Sequence, residues 1–184
     1  VDFFFVLSGY VIGYAYDDRW GRMNLWDFCK RRLIRLQPMV VAGALIGAGC
    51  YYFGAGTMFP SIARTPVWAL VLATVAGCLL VPTTAPIRQP WHEMFPLNGP
   101  AWSLFFEYIG NFLYATVVRR FSKALLTLFV VLSGAALVRL AVGSETGSVL
   151  GGHELSGPQF LIGMTRLLYP FFCGVLLFRL GKRI

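Results

Sequence analysis

The sequence predicts an all-α fold: a polytopic transmembrane helix bundle of roughly five to six membrane helices. Three observations carry that expectation. Charged residues make up only 13% of the 184-residue chain, against roughly 25% in an ordinary soluble domain, so there is too little charge to coat a water-facing surface. Hydrophobic residues make up 57%, with a mean hydropathy of +0.66. The apolar residues fall into six long stretches, most without the polar face of a soluble helix or the alternation of a barrel strand.

Taken in order, residues 3–16 form an uncharged but short stretch. Residues 39–59 are uncharged, and so are residues 65–87, whose apolar centre is 67–81. Residues 94–118 contain one charge, Glu107, residues 124–142 one, Arg139, and residues 155–178 one, Arg166. A spanning helix needs about 20 such residues, and no soluble domain fits between these. The whole of 1–184 is therefore one membrane domain. Gly9 and Gly13, and Gly43 and Gly47, are spaced four apart in apolar stretches, which favours close helix packing.

The net charge of +8 does not point to nucleic acid. It clusters at residues 19–35, 119–123 and 179–183, each bordering an apolar stretch, as the positive-inside rule expects of cytoplasmic loops. The partner is the lipid bilayer, with no nucleic acid. The rule also sets a puzzle. Two cytoplasmic clusters must be separated by an even number of crossings, yet three apolar stretches lie between the first and second. One is broken or re-entrant, or the rule fails here. Residues 82–100 hold five prolines, at 82, 86, 90, 96 and 100. Irregular backbone at membrane depth must be buried in protein or line a wet cavity, so this segment is a candidate wall of an internal site.

Cys29, Cys50, Cys78 and Cys173 form no metal-ligand spacing and suit helix packing. His92 and His153 stand apart from them and from each other, so no metal site is expected.

Three features can carry chemistry. Asp2 heads an apolar helix, with Phe5, Gly9, Gly13 and Tyr16 on its side; it is an end charge or N-cap, or a functional carboxylate. Residues 24–38 form an interfacial helix, capped by Asn24 with Asp27 in its first turn and ended by Pro38. Asp27 can pair with Arg31, and Leu25, Cys29, Leu33 and Leu36 make its apolar face. Its basic residues are a lipid-binding loop, or an anion site in which Arg32 and Arg35, three apart, address one polyphosphate. Finally, Ser103, Glu107, Asn111 and Tyr114 make a polar stripe on an apolar helix. A carboxylate there marks a functional site, or is a structural group paired with Arg139 or Arg166.

At these residues the chain resembles a known family. Residues 1–12, V-D-F-F-F-V-L-S-G-Y-V-I, are similar to the V-D-x-F-F-x-L/I-S-G-F/Y signature of the membrane-bound acyltransferase 3 family. Residues 31–38, R-R-L-I-R-L-Q-P, resemble its R-x-x-R-I/L-x-P element, and residues 102–107, W-S-L-F-F-E, its W-S-L-x-x-E element. The three occur in the family's order and cover about the first two-thirds of the chain. The resemblance implies a multi-pass enzyme of the cell membrane, in bacteria the inner membrane. Such an enzyme moves an acyl group, often acetyl, from acyl-CoA to a hydroxyl of a carbohydrate or cell-envelope glycan. Acyl-CoA is then a donor substrate, and no cofactor is implied.

Under that resemblance Glu107 and Asp2 are the candidate catalytic carboxylates. Arg32 and Arg35 bind the donor phosphates, and Trp102, Ser103 and Asn111 are candidate substrate contacts. The family's essential histidine lies on a helix before the V-D-x-F-F element, and neither His92 nor His153 takes that place. The expectation is an N-terminally truncated fragment, inactive alone. Two other functions remain open: a transporter of a small molecule or lipid-linked sugar, and an inactive membrane scaffold subunit. Acyl-CoA binding separates them from the enzyme.

Overall fold

A computed structural model of the chain describes residues 1–54, 65–83, 93–144, 147 and 149–181. His92, Pro86, Pro90, Lys182 and Arg183 lie outside the described residues, as do parts of the apolar stretches 39–59 and 65–87. The fold is all-α. Its helices are α1 (Asp2–Tyr16), α2 (Leu25–Gly54), α3 (Val67–Cys78), α4 (Ala101–Thr116), α5 (Lys123–Gly143) and α6 (Gly157–Arg179). Among the described residues there is no named strand, only an isolated bridge between Glu93 and Glu154.

The helix starts follow local chemistry. Asn24 and Asp27 cap α2 reciprocally: the Asp27 N–H donates to Asn24 Oδ1 at 2.8 Å, and the Asn24 N–H to Asp27 Oδ2 at 3.4 Å. The Ser122 hydroxyl accepts from the Leu125 N–H at the start of α5. One boundary departs from expectation. α2 does not end at Pro38 but continues to Gly54. Proline removes one backbone bond and clashes with the preceding turn, at a cost of about 3 kcal/mol. Leu36, Val40 and Ala44, four apart and all buried, bind that face of the helix firmly enough to carry it through. Of the expected apolar face, Leu36 is buried and Cys29 half-buried. Leu25 and Leu33 are exposed, whereas Phe28 and Arg32 are buried.

Length separates the helices. Among the described residues three are long and apolar enough to cross a membrane: α2, α5 and α6. α1 and α4 have 15 and 16 residues, a rise of about 22 to 24 Å, and α3 has 12, about 18 Å, against a hydrocarbon core of about 30 Å.

The described residues group into two compact units. The first comprises Val1–Arg32, Phe106–Gly152 and Leu161–Ile184. Here α6 is central: half of its apolar window is buried, against 17% for α5. α1 runs beside α6 in the same direction, since Asp2 meets Arg166 and Asp17 meets Arg179. Their backbones touch because Gly9 abuts the Phe171 carbonyl and Gly174 the Val6 carbonyl; a methyl at either would overlap those atoms. α4 also runs with α6, with Gly163 under the Phe106 ring and Gly110 against Leu167 and Phe171. α5 runs the opposite way, with Phe129 on Phe172 at 5.3 Å and Gly134 under the Tyr169 ring.

The second unit comprises Leu33–Phe105 and His153–Phe160. α3 runs antiparallel to α2 within it. Tyr51 bonds Thr65 at 2.8 Å, Gly77 lies 3.4 Å from Ala44, and Gln37 donates to the Cys78 carbonyl. Residues 97–98 return against α2, with the Leu97 carbonyl on Gly47 and the Asn98 side chain on Gly43. Both G-x-x-x-G patterns thus serve close packing, the second against residues 97–98 of the proline-rich segment.

Candidate functional site

The chemistry of the first unit centres on Glu107. α4 exposes only 17% of this side chain, and two donors converge on its Oε1. The Ser8 hydroxyl donates at 2.6 Å from α1, and Arg32 Nη2 donates at 2.9 Å from α2. Arg32 is itself only 2% exposed. Ser8, Arg32 and Glu107 belong to the three separate sequence elements picked out above, and the fold gathers them onto one oxygen. Charge-assisted bonds of this kind are short and strong, and they fix the direction of the carboxylate. One turn along α4, Asn111 Nδ2 donates to the Glu107 carbonyl at 2.8 Å. Asn111 is 3% exposed, and its Oδ1 is buried with no partner among the described residues. An unmatched buried acceptor costs free energy until a donor arrives.

The remaining candidates fall elsewhere. Arg35, three residues beyond Arg32 on α2, is exposed, whereas Arg32 is buried. Arg32 is engaged by Glu107 instead. Ser103 donates to the Pro100 carbonyl at 2.9 Å in the first turn of α4, and Trp102 beside it is partly buried. Asp2 is bound by Arg166 through two bonds of 3.2 and 3.3 Å, and Arg166 also donates to the Gly151 carbonyl. Asp2 and Ser8 are six residues apart on α1, about 9 Å along its axis, so Asp2 belongs to a different cluster from Glu107. The expected structural partners of Glu107 are also settled. Arg166 pairs with Asp2, and Arg139 is exposed on α5.

A second buried cluster escaped the sequence reading. Arg179 grips Asp17 with Nε at 2.6 Å and Nη2 at 2.8 Å, and donates to the Phe121 carbonyl at 2.9 Å. Tyr114 donates to Asp17 Oδ1 at 2.8 Å and accepts from Trp20 Nε1 at 3.3 Å. The Arg119 guanidinium lies 4.1 Å over the Trp20 ring. This latch ties the ends of α1, α4 and α6 together. Arg179 reads in the sequence as one of a run of loop charges, and Asp17 as a loop residue, so no local signal pairs them. Ser8 was likewise missed as a functional group, because a serine in an apolar helix is ordinarily satisfied by its own backbone.

A family model described as an acyltransferase domain matches residues 1–184. Among curated proteins, the chain is similar to "Protein 2 in picA locus" of Rhizobium radiobacter. The two are 37% identical over 122 residues, 62% of this chain and 63% of that protein. The chain thus spans less than two-thirds of that relative's length. No solved structure matches.

Proposed function

We propose that this chain, which belongs to the acyltransferase 3 family, forms the Glu107-centred part of the active site of an integral membrane O-acyltransferase. The reaction moves an acyl group, often acetyl, from acyl-CoA to a hydroxyl of a carbohydrate or cell-envelope glycan, at the bacterial inner membrane. The observation that supports it is the convergence of Ser8 and Arg32 on Glu107 Oε1.

A sugar hydroxyl is a weak nucleophile and needs a base to take its proton as the thioester carbonyl is attacked. Glu107, held in direction by its two donors, orients that base or accepts from the acceptor hydroxyl. The open Asn111 Oδ1 offers a second acceptor one turn away. Arg32 acts through Glu107 rather than on the donor. Donor phosphates fall to Arg35, whose exposed position suits a polyphosphate. Trp102 and Ser103, on the turn of α4 before Glu107, are the proposed contacts for substrate. Asp2, tied to Arg166, has a positioning role for α1 and is not proposed to touch substrate.

The test uses the full-length protein in cells, reading transfer of label from acetyl-CoA into envelope glycans. Glu107→Gln keeps the size but not the charge, and is expected to insert normally and to lose acyl transfer. Full transfer by that variant would remove Glu107 from the site. A wild-type protein that binds no acyl-CoA would shift the reading to a transporter or scaffold.

A further inference from the structure

We propose that one end of the first unit, where the loop after α1 and the start of α2 meet the turn before α5, is a docking surface for the headgroups of anionic phospholipids. The inference rests on the membrane reading of the chain and is independent of acyl transfer.

Two basic segments, distant in the chain, are joined here. Asp17, just past α1, is held by Arg179 at the end of α6, and Arg179 also donates to the Phe121 carbonyl. Tyr114, in the last turn of α4, donates to Asp17, and the Trp20 ring carries the Arg119 guanidinium at 4.1 Å. Phe28, in the first turn of α2, packs on Trp20 at 5.4 Å and on Tyr114 at 6.0 Å. These contacts bring Arg19, Arg22, Lys30 and Arg31 of one segment to the same end as Arg119, Arg120 and Lys123 of the other. Apart from the half-buried Arg119, all of these cations are exposed.

None of these cations forms an ion pair with a carboxylate among the described residues. The inner arginines of the same unit do the opposite: Arg32 pairs with Glu107, Arg166 with Asp2 and Arg179 with Asp17. Asp27, four residues before Arg31, is turned to the Asn24 cap instead. Arg119 rests on an aromatic face and Arg120 donates to the Thr116 carbonyl, contacts that leave both charges unneutralised. Lys123 stands in the first turn of α5, where a cation opposes the positive end of the helix dipole. Like charges gathered on one surface repel one another and destabilise the fold until counter-charge arrives. The apolar neighbours select a lipid over a soluble anion. Trp26 is 73% exposed and lies one turn from Lys30 on the same face of α2, with Leu25 exposed beside it. An exposed indole among cations suits the headgroup level of a bilayer, where the ring sits among lipid and the cations meet the phosphates.

The experiment places the full-length protein in nanodiscs of phosphatidylcholine, with and without phosphatidylglycerol. It reads the unfolding temperature, and the retained lipid by native mass spectrometry. One variant combines Arg19→Gln, Arg22→Gln and Lys30→Gln. A second combines Arg120→Gln and Lys123→Gln, so that failure of either to insert leaves the other. Arg139→Gln, exposed farther along α5, is the control. The wild type and the control are expected to gain stability from phosphatidylglycerol and to retain it. Both multiple variants should lose that gain, with retention down by about tenfold or more. In phosphatidylcholine alone the first variant should unfold no lower than the wild type, because repulsion is relieved. Equal gain by variants and wild type would overturn the proposal. A drop in unfolding temperature of the same size in both lipids would show that the cations hold the fold, and would also overturn it. If acyl-CoA in phosphatidylcholine alone gives a gain that the same variants lose, the surface takes a soluble polyphosphate and the lipid assignment is overturned.

Discussion

Glu107 takes two donors on one oxygen, and they contribute differently. The Ser8 hydroxyl is a neutral donor to a charged acceptor, worth roughly 1.5 to 3 kcal/mol. Ser8→Ala should lower stability by about that amount and reduce acyl transfer, checked by thermal unfolding in detergent alongside the glycan assay. Arg32 is buried, so Arg32→Ala should cost about 3 to 5 kcal/mol, much of it from leaving the Glu107 carboxylate without its charge partner. The double variant Arg32→Met with Glu107→Gln should regain much of that stability while staying inactive, which separates holding the fold from doing the chemistry. Arg35→Ala makes the contrasting case. It is exposed, so unfolding should be unchanged while the dissociation constant for acyl-CoA rises.

At the scale of the element, small residues decide which helices meet. Gly9 and Gly174 let α1 and α6 touch backbone to backbone, and in lipid such close packing is a main source of association. Gly9→Val should drive its side chain into the Phe171 carbonyl and force the pair apart. Faster proteolysis in the loop after α1 and a lower unfolding temperature would report it. Gly21→Ala, in open space, should change neither. α2 shows the complementary effect. Its proline does not end it, because buried residues on both sides of Pro38 hold the helix against the loss of one bond.

Across the whole molecule, the basic clusters gain a structural meaning beyond topology. Arg179 closes α1, α4 and the turn before α5 through Asp17 and three carbonyls. Asp17→Asn should leave Arg179 buried without its counter-charge and destabilise the protein by about 3 to 5 kcal/mol, read as a lowered unfolding temperature. Because this pair is only 10 and 15% exposed, added salt should not reproduce the effect of the substitution.

Composition and hydropathy by themselves determined the class: a chain with so little charge and such long apolar runs must dissolve in lipid, and backbone bonding in lipid dictates helices. Spacing also gave the Asn24–Asp27 cap, because caps are contacts between residues three apart. Three motifs named Glu107 and Arg32 as chemistry-bearing without relating them. That Arg32 belongs to Glu107 and not to Arg35, that Ser8 joins them, and that Asp17 meets Arg179 are contacts between residues 75 to 162 positions apart. Side-chain type reports what a residue can bond to. Which partner it meets is set by the directions and close approaches of whole helices, and those exist only once the tertiary structure has formed.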